Sequence, residues 1–464
     1  MINCIASSTA VSSAGWLTCS IAAALVCGCS EPVSAPEPAA LDRVPAAITQ
    51  TAPSLRLVVV ADLEGVLEPC GCGGRPLGGV DRIAAIVTRL RKEPTPTLLV
   101  VAGNLFYAPK PHAKHTAQDA LEADAMAAIL ARLRPDVIVP GSYDQSYAAP
   151  QLASLQQAAH APLLTAGLPR DAAMIGQPSS LLGPAAHRIA ITVGGAPGDS
   201  ALLRGLGAQT IVRIAIEEDP EQREDTADIT IATGSEAEES RRQGDVLRID
   251  PGVGGESLWL IDLGTEGPRG ALATRVELSE QIAPAADVRR LIDQTYTQVN
   301  ALNVASATRA GAPQETHEDM AEQIAFVGSR TCAACHTSAY LWWQRTAHAH
   351  AYRTLQRRGR ELDLDCIACH VTGFEQLGGA RIGRLEELAD VGCESCHGPG
   401  SKHADDPRSR RGRSRREVSA TICASCHDPA HSPGFDFATW RERLLVRGHG
   451  GEQAHAPAGT PQAR

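Results

Sequence analysis

The chain has 464 residues and a mass of 48.8 kDa, enough for two or three domains. With 43% hydrophobic and 21% charged residues it is neither a disordered chain nor a multi-spanning membrane protein, and a formal charge of −10 gives no support to nucleic-acid binding, which needs a basic footprint. Aromatic residues make up only 3%, so something other than large side chains is expected to fill part of a core, and 14 cysteines call for an explanation.

Residues 1–29 read as an export leader: an apolar, small-residue stretch too short to span a membrane, with no Lys or Arg in residues 1–28. Its end, Val26-Cys27-Gly28-Cys29, resembles the bacterial lipoprotein box, which implies lipidation of Cys29 and a membrane anchor there. The other reading is an ordinary cleaved signal with incidental cysteines. Residues 30–53 are rich in proline and read as an extended tether.

Residues 54–275 alternate strand and helix patterns, the mark of an α/β layered domain. Strands are expected at Leu55–Ala61, Thr97–Ala102, Asp136–Val139, His187–Val193, Thr210–Ile216 and Asp228–Ala232, with a hairpin-like run over Val246–Asp262. Amphipathic helices are expected at Val80–Leu90 and at Ala117–Leu133, the second ended by Pro135.

The loops after these strands carry Asp62, Gly103-Asn104, Gly141-Ser142-Tyr143-Asp144 and Thr233-Gly234. Their placement resembles the calcineurin-like metallophosphoesterases of the periplasmic 5′-nucleotidase type, which build a two-metal site at such loop ends. Here Glu64 stands for the first histidine of that pattern, Asn104 for an aspartate and Ser142-Tyr143 for an Asn-His pair. A two-metal hydrolase needs those ligands to turn a water into a nucleophile, so phosphoester hydrolysis is not expected.

Between Asp62 and the first helix runs Leu67-Glu68-Pro69-Cys70-Gly71-Cys72. This loop is similar to the L-E-P-C-G-C loop of a branch of nucleotidase-like exported proteins. Cys70 and Cys72, close to Arg75 and a helix N-terminus, read as a redox-active dithiol or a metal-ligand pair; a structural disulfide is the plainer alternative.

Residues 276–325 form a helix and connector: Ser279–Asn303 has Val288, Leu291, Ile292, Tyr296 and Val299 at helical spacing, and 305–325 is polar. The helix is expected to pack on the middle domain or to bridge the two halves of the chain.

From Phe326 the chain turns basic and carries four copies of one motif: Cys332-x-x-Cys335-His336, Cys366-x-x-Cys369-His370, Cys393-x-x-Cys396-His397 and Cys423-x-x-Cys426-His427. C-x-x-C-H is the attachment signature of c-type haem. Two thiols one short turn apart add to the two haem vinyl groups, and the next histidine reaches the iron from the proximal side. Zinc ribbons would use the cysteine pairs but give no reason for a histidine after each second cysteine, and a disulfide framework gives the histidines no role.

The surroundings of these motifs over residues 326–450, among them Phe326-Val327-Gly328-Ser329, Trp342, Val371-Thr372-Gly373-Phe374 and Gly398-Pro399-Gly400-Ser401-Lys402-His403, resemble the tetrahaem cytochromes that accept electrons from hydroxylamine oxidoreductase. The resemblance implies a mostly α domain packed around four haem c groups, with His348, His403 and His449 as distal ligands. No methionine follows Met320, so distal ligation is by histidine or vacant, and three matches for four motifs imply one open iron. His350 reads as a solvated or packing residue, and His431 has no assignment. Arg408–Arg416, six arginines in nine residues, reads as a solvated insertion or as a docking patch for an acidic redox partner. Residues 451–464 read as a tail.

These observations together point to electron transfer in the bacterial envelope, between redox donor and acceptor proteins, without nucleic acid. The alternative is a redox enzyme that uses one five-coordinate haem or the Cys70/Cys72 loop, with the remaining haems as relay.

Overall fold

The computed structural model describes residues 53–69, 76–108, 116–165, 179–182, 188–193, 211–217, 227–264, 267–310, 324–408, 418–428, 432 and 434–444. Outside them lie the leader with Cys29, the tether to residue 52, Cys70 and Cys72, His431 and His449, residues 409–417 of the arginine-rich segment, and the tail.

Eleven strands are described: β1 (Leu55–Ala61), β2 (Thr97–Gly103), β3 (Val137–Pro140), β4 (Ser179–Leu182), β5 (Arg188–Val193), β6 (Ile211–Glu217), β7 (Ile229–Ala232), β8 (Glu238–Gln243), β9 (Val246–Pro251), β10 (Ser257–Gly264) and β11 (Gly267–Glu277). They form a five-stranded sheet in the order β11-β10-β1-β2-β3 and a six-stranded sheet in the order β4-β5-β6-β7-β9-β8. β1, β2 and β3 are parallel, as are β5, β6, β7 and β9; β4, β8, β10 and β11 join antiparallel.

Side-chain alternation along β1 divides its residues between two cores. Leu55, Leu57 and Val59 pack with Ile229, Ile231 and Ile249 of the second sheet, whereas Val58 and Val60 face helices. Those helices are α1 (Val80–Leu90), α2 (Ala117–Leu133), α3 (Ser142–Tyr147), α4 (Ala149–Ala159) and α5 (Ala286–Ala310). Ile83 and Val87 of α1, Met126 and Leu130 of α2, Leu152 of α4 and Ile292 of α5 fill the helix side. Burial on both faces explains why β1 and β2 read as unbroken aliphatic runs.

The hairpin expected over Val246–Asp262 is not there. β9 and β10 belong to different sheets, with β8 and β11 as their antiparallel neighbours. Gly252, Gly254 and Gly255, at φ of 84°, 73° and 63°, carry the chain across, and the Gly254 N–H bonds Asp62 O at 2.7 Å. Alternation identifies strands but not their partners. α5 also differs from the expected span: it starts after Pro284, which disfavours helix in the residue before it, and runs on through the small residues 305–310.

α2 begins with a reciprocal cap in which Thr116 Oγ1 accepts from Asp119 N at 3.2 Å and Asp119 Oδ2 accepts from Thr116 N at 2.5 Å. Replacing Thr116 with alanine is expected to cost about 1 kcal/mol in urea unfolding.

The C-terminal region is built of short helices: α6 (Ser329–Ala333), α7 (Thr337–Trp343), α8 (Ala351–Arg358), α9 (Leu364–His370), α10 (Cys393–His397), α11 (Ser401–Asp405), α12 (Ala420–Ala424) and α13 (Phe437–Leu444). Its buried hydrophobic cluster is Phe326, Ile367, Val371, Ala380 and Leu388, which lies around α9 rather than between all four motifs.

Candidate haem site

Each C-x-x-C-H motif is wound into a single helical turn, which sets its sulfur atoms and imidazole side by side. In the first, Cys335 and His336 N–H both bond Cys332 O (3.3 and 2.9 Å); in the fourth, Cys426 and His427 N–H both bond Cys423 O (3.1 and 2.8 Å). All eight cysteines, the four motif histidines, His348 and His403 line one cavity of about 2490 Å³. Ordinary small-molecule pockets are roughly 300–1,000 Å³, so this space suits several large flat groups.

The motifs approach in pairs. The Cys332 and Cys393 thiols hydrogen-bond, which pushes Cys332 up and Cys393 down, and a Cys369–Cys426 contact likewise pushes Cys369 up. The first motif therefore neighbours the third, and the second neighbours the fourth.

Two histidine pairs face each other. The ring centres of His336 and His403 are 6.2 Å apart and those of His348 and His427 are 6.0 Å apart. An imidazole–metal bond of about 2.0–2.1 Å places two rings on opposite sides of one ion with centres about 6 Å apart. His403 Nδ1 is buried without a hydrogen-bond partner among the described residues, a cost that a metal bond or another polar partner would remove. Desolvation pushes the His348 and His427 imidazoles down, the neutral state that ligation needs. His370 Nδ1 lies 2.7 Å from Ala351 O and His427 Nδ1 lies 2.9 Å from Ser432 Oγ, contacts that orient the rings. His427 also stacks on Phe435 at 4.4 Å. His350 is exposed. The residues present fit haem c, and the two ring pairs fit axial coordination.

Glu394, between the cysteines of the third motif, organises this region, and the sequence offered no signal for its role. Only 4% exposed, its carboxylate accepts from the N–H groups of Val327 (3.0 and 3.1 Å), Gly328 (2.7 Å) and Gly400 (2.7 Å). It thereby ties the entry to the first motif to the loop that leads to His403.

The strand-end loops of the middle domain are put together differently from a metal centre. Asp62 accepts from Asn104 N (3.0 Å) and Gly234 N (2.8 Å), while Asp144 accepts from Leu105 N (2.5 Å) and Phe106 N (3.2 Å). Burial pushes Asp144 up to about 7, against the pull of those amides. A Cβ on Gly103 would stand 2.1 Å from Asp62 Oδ1, and one on Gly141 would stand 2.4 Å from Asn104 Oδ1, so the loops are closed on themselves. With its carboxylates turned to backbone amides and its imidazoles replaced, the set does not fit a two-metal centre.

The middle domain also meets the second motif through a polar contact that sequence reading missed. Gln118 of α2, 1% exposed, donates to Asp363 Oδ1 at 2.6 Å and accepts from Leu364 N and Asn303 Nδ2. Asn300 and Asn303 of α5 bond Gly359 O and Leu362 O. Arg360 lies over the Tyr296 ring at 4.2 Å and pairs with Asp363 (2.5 Å) and with Glu68 (3.3 Å), which Arg289 also holds (2.6 Å). Among the described residues, the group of three potential metal-ligating side chains whose ligand atoms lie within 4.8 Å of one another is Asp119, Glu122 and Asp365, at this junction and not at Asp62. The helix expected to pack on the middle domain or bridge the halves does both.

Residues 331–398 match the family described as cytochrome c554 and c-prime. The chain is 36% identical over 107 residues to cytochrome c-554 of Nitrosomonas europaea; the match takes in 20% of this chain and 46% of that one, so the chain spans about half of its curated relative. Among solved structures it is similar to a 5′-nucleotidase precursor of Thermus thermophilus (17% identity, 63% of this chain and 67% of that one, TM-score 0.44). It is similar also to the sulfate thiohydrolase SoxB of Thermus thermophilus (12% identity, 54% of this chain and 61% of that one, TM-score 0.44).

Proposed function

We propose that this protein moves electrons through four covalently bound haem c groups in the bacterial cell envelope. The observation that carries this reading is the meeting of all four C-x-x-C-H motifs around one cavity, with two imidazole pairs at the spacing of axial ligands. Each haem, when bound, exchanges one electron. The chain would hold it by two thioethers, orient it by the adjacent histidine and tune its potential through a second imidazole. His336 with His403 would serve the first motif and His427 with His348 the fourth, and His449, outside the described residues, would serve a third. Closely apposed motifs make a relay that needs no substrate chemistry of its own.

The export leader would deliver the chain to the envelope, and lipidation at Cys29 would hold it at a membrane, within reach of redox donor and acceptor proteins. Among the described residues no helix is long and apolar enough to cross a membrane. The middle domain, with its strand-end loops saturated by backbone amides, acts as a scaffold rather than a phosphoesterase.

The test is the covalent haem content of the purified, exported protein. Four haems per chain that resist acid–acetone extraction are expected, with stepwise reduction in a potentiometric titration. A colourless protein, or haem that is extracted freely, would overturn the reading.

A further inference from the structure

We infer that Glu122, a residue of the middle domain, accepts a proton when the second C-x-x-C-H motif is reduced in alkaline solution, so that one electron entering there is then accompanied by one proton. This rests on the second motif carrying haem. Glu122 lies on α2 and lines the same cavity as Asp365, Cys366, Cys369 and His370, while Asp365 immediately precedes the first cysteine of the motif. The carboxylates of Glu122 and Asp365 lie within 4.8 Å of each other, so a domain that carries no attachment motif of its own brings a carboxyl beside the residue that precedes Cys366.

The contacts around Glu122 set it apart from its acidic neighbours. Asp363 is fully buried, but Arg360 and Gln118 both bond it, so its charge is compensated. Glu68 is held between Arg289 and Arg360. Asp119 is engaged by the Thr116 N–H, and Asp365 is exposed to solvent. The Tyr296 hydroxyl is pushed well above its usual range by burial. Glu122 is half-buried, and its contact is the neutral Gln118 Nε2 at 3.3 Å; among the described residues no cation forms an ion pair with it. Desolvation, then the charges of Asp363 and Asp365, push its carboxyl up to about 8, against the pull of the Arg360 guanidinium.

The direction of coupling follows from charge. Reduction takes the iron from ferric to ferrous and adds one negative charge to the site, which disfavours a carboxylate beside it and raises the carboxyl pKa further. Where Glu122 is protonated in both redox states reduction takes up no proton; where the oxidised protein has lost that proton, reduction recovers it from solvent, as an O–H bond on the Glu122 carboxyl, and the electron comes from any one-electron donor. The reduction equilibrium at this site therefore falls as pH rises.

The experiment uses the full-length, haem-loaded protein. Covalent haem content comes first, and a Cys366→Ser/Cys369→Ser variant identifies which potential belongs to the second motif. Potentiometric titration between about pH 6 and about pH 10 should show that potential level at the lower end and falling above about 8 by up to tenfold in the equilibrium per pH unit, about 59 mV for one electron. Glu122→Gln should remove the slope and Glu122→Asp should retain one. The unaltered protein at about pH 9 should also gain a protonated-carboxyl band in the reduced-minus-oxidised infrared spectrum, a readout that needs no variant to fold. A pH-independent potential at the second motif, or a slope that Glu122→Gln leaves intact, overturns the inference. Absence of haem from Cys366 and Cys369 overturns instead the reading on which it rests.

Discussion

Replacing Glu394 with alanine is expected to destabilise the C-terminal region by roughly 3–6 kcal/mol, because three backbone N–H groups lose their acceptor and each unpaired buried group costs about 1–3 kcal/mol. The donors are Val327, Gly328 and Gly400, and at least Gly328 and Gly400 bond the carboxylate in buried positions. A cavity also remains where the carboxylate stood. Glu394→Gln preserves the shape and one acceptor oxygen, so it should lose about half as much. Urea unfolding followed by the haem absorption band distinguishes the two variants. An alanine variant within about 1 kcal/mol of the unaltered protein would remove Glu394 from its organising place.

Alanine in place of His403 or of His348 is expected to open one iron in each case. Carbon monoxide binding by the reduced protein should then rise by one haem per chain in either variant, and by two in the double variant, while covalent haem content stays unchanged. The loss of an axial imidazole also converts that centre from low to high spin, which paramagnetic resonance reads directly. The expectation comes from the 6.2 Å and 6.0 Å separations of the facing rings. Neither variant touches a thioether or a proximal histidine, so attachment is a separate readout from ligation. Unchanged carbon monoxide binding and spin state in both variants would dissolve the proposed pairs. A change at His403 alone would leave the fourth motif to another ligand.

The compact turn of each C-x-x-C-H motif was legible because it is local. A thiol, a second thiol three residues on and the adjacent imidazole need only one helical turn to converge, and that turn follows from the spacing itself. Strands were legible for a similar reason: β1 and β2 are buried on both faces, so Leu55–Ala61 and Thr97–Ala102 had to be continuous aliphatic runs. The reading failed where two distant segments had to be matched. Val246–Asp262 has the alternation of a hairpin, yet its halves enter different sheets. Helices α3 and α4 went unnoticed because neither has a long apolar period.

What the residues determined by themselves is the covalent logic: four repeats of C-x-x-C-H, six further histidines after the first repeat and no late methionine, the set that sulfur-linked porphyrin with imidazole ligation would use. What only the tertiary structure decided is partnership across the chain. His403 meets His336 and His348 meets His427; Glu394 gathers the amides of two segments; Glu122 comes to lie beside Asp365. Such encounters depend on the burial of whole helices and on satisfying every polar group brought inside, a sum over many weak terms that no short stretch of residues contains.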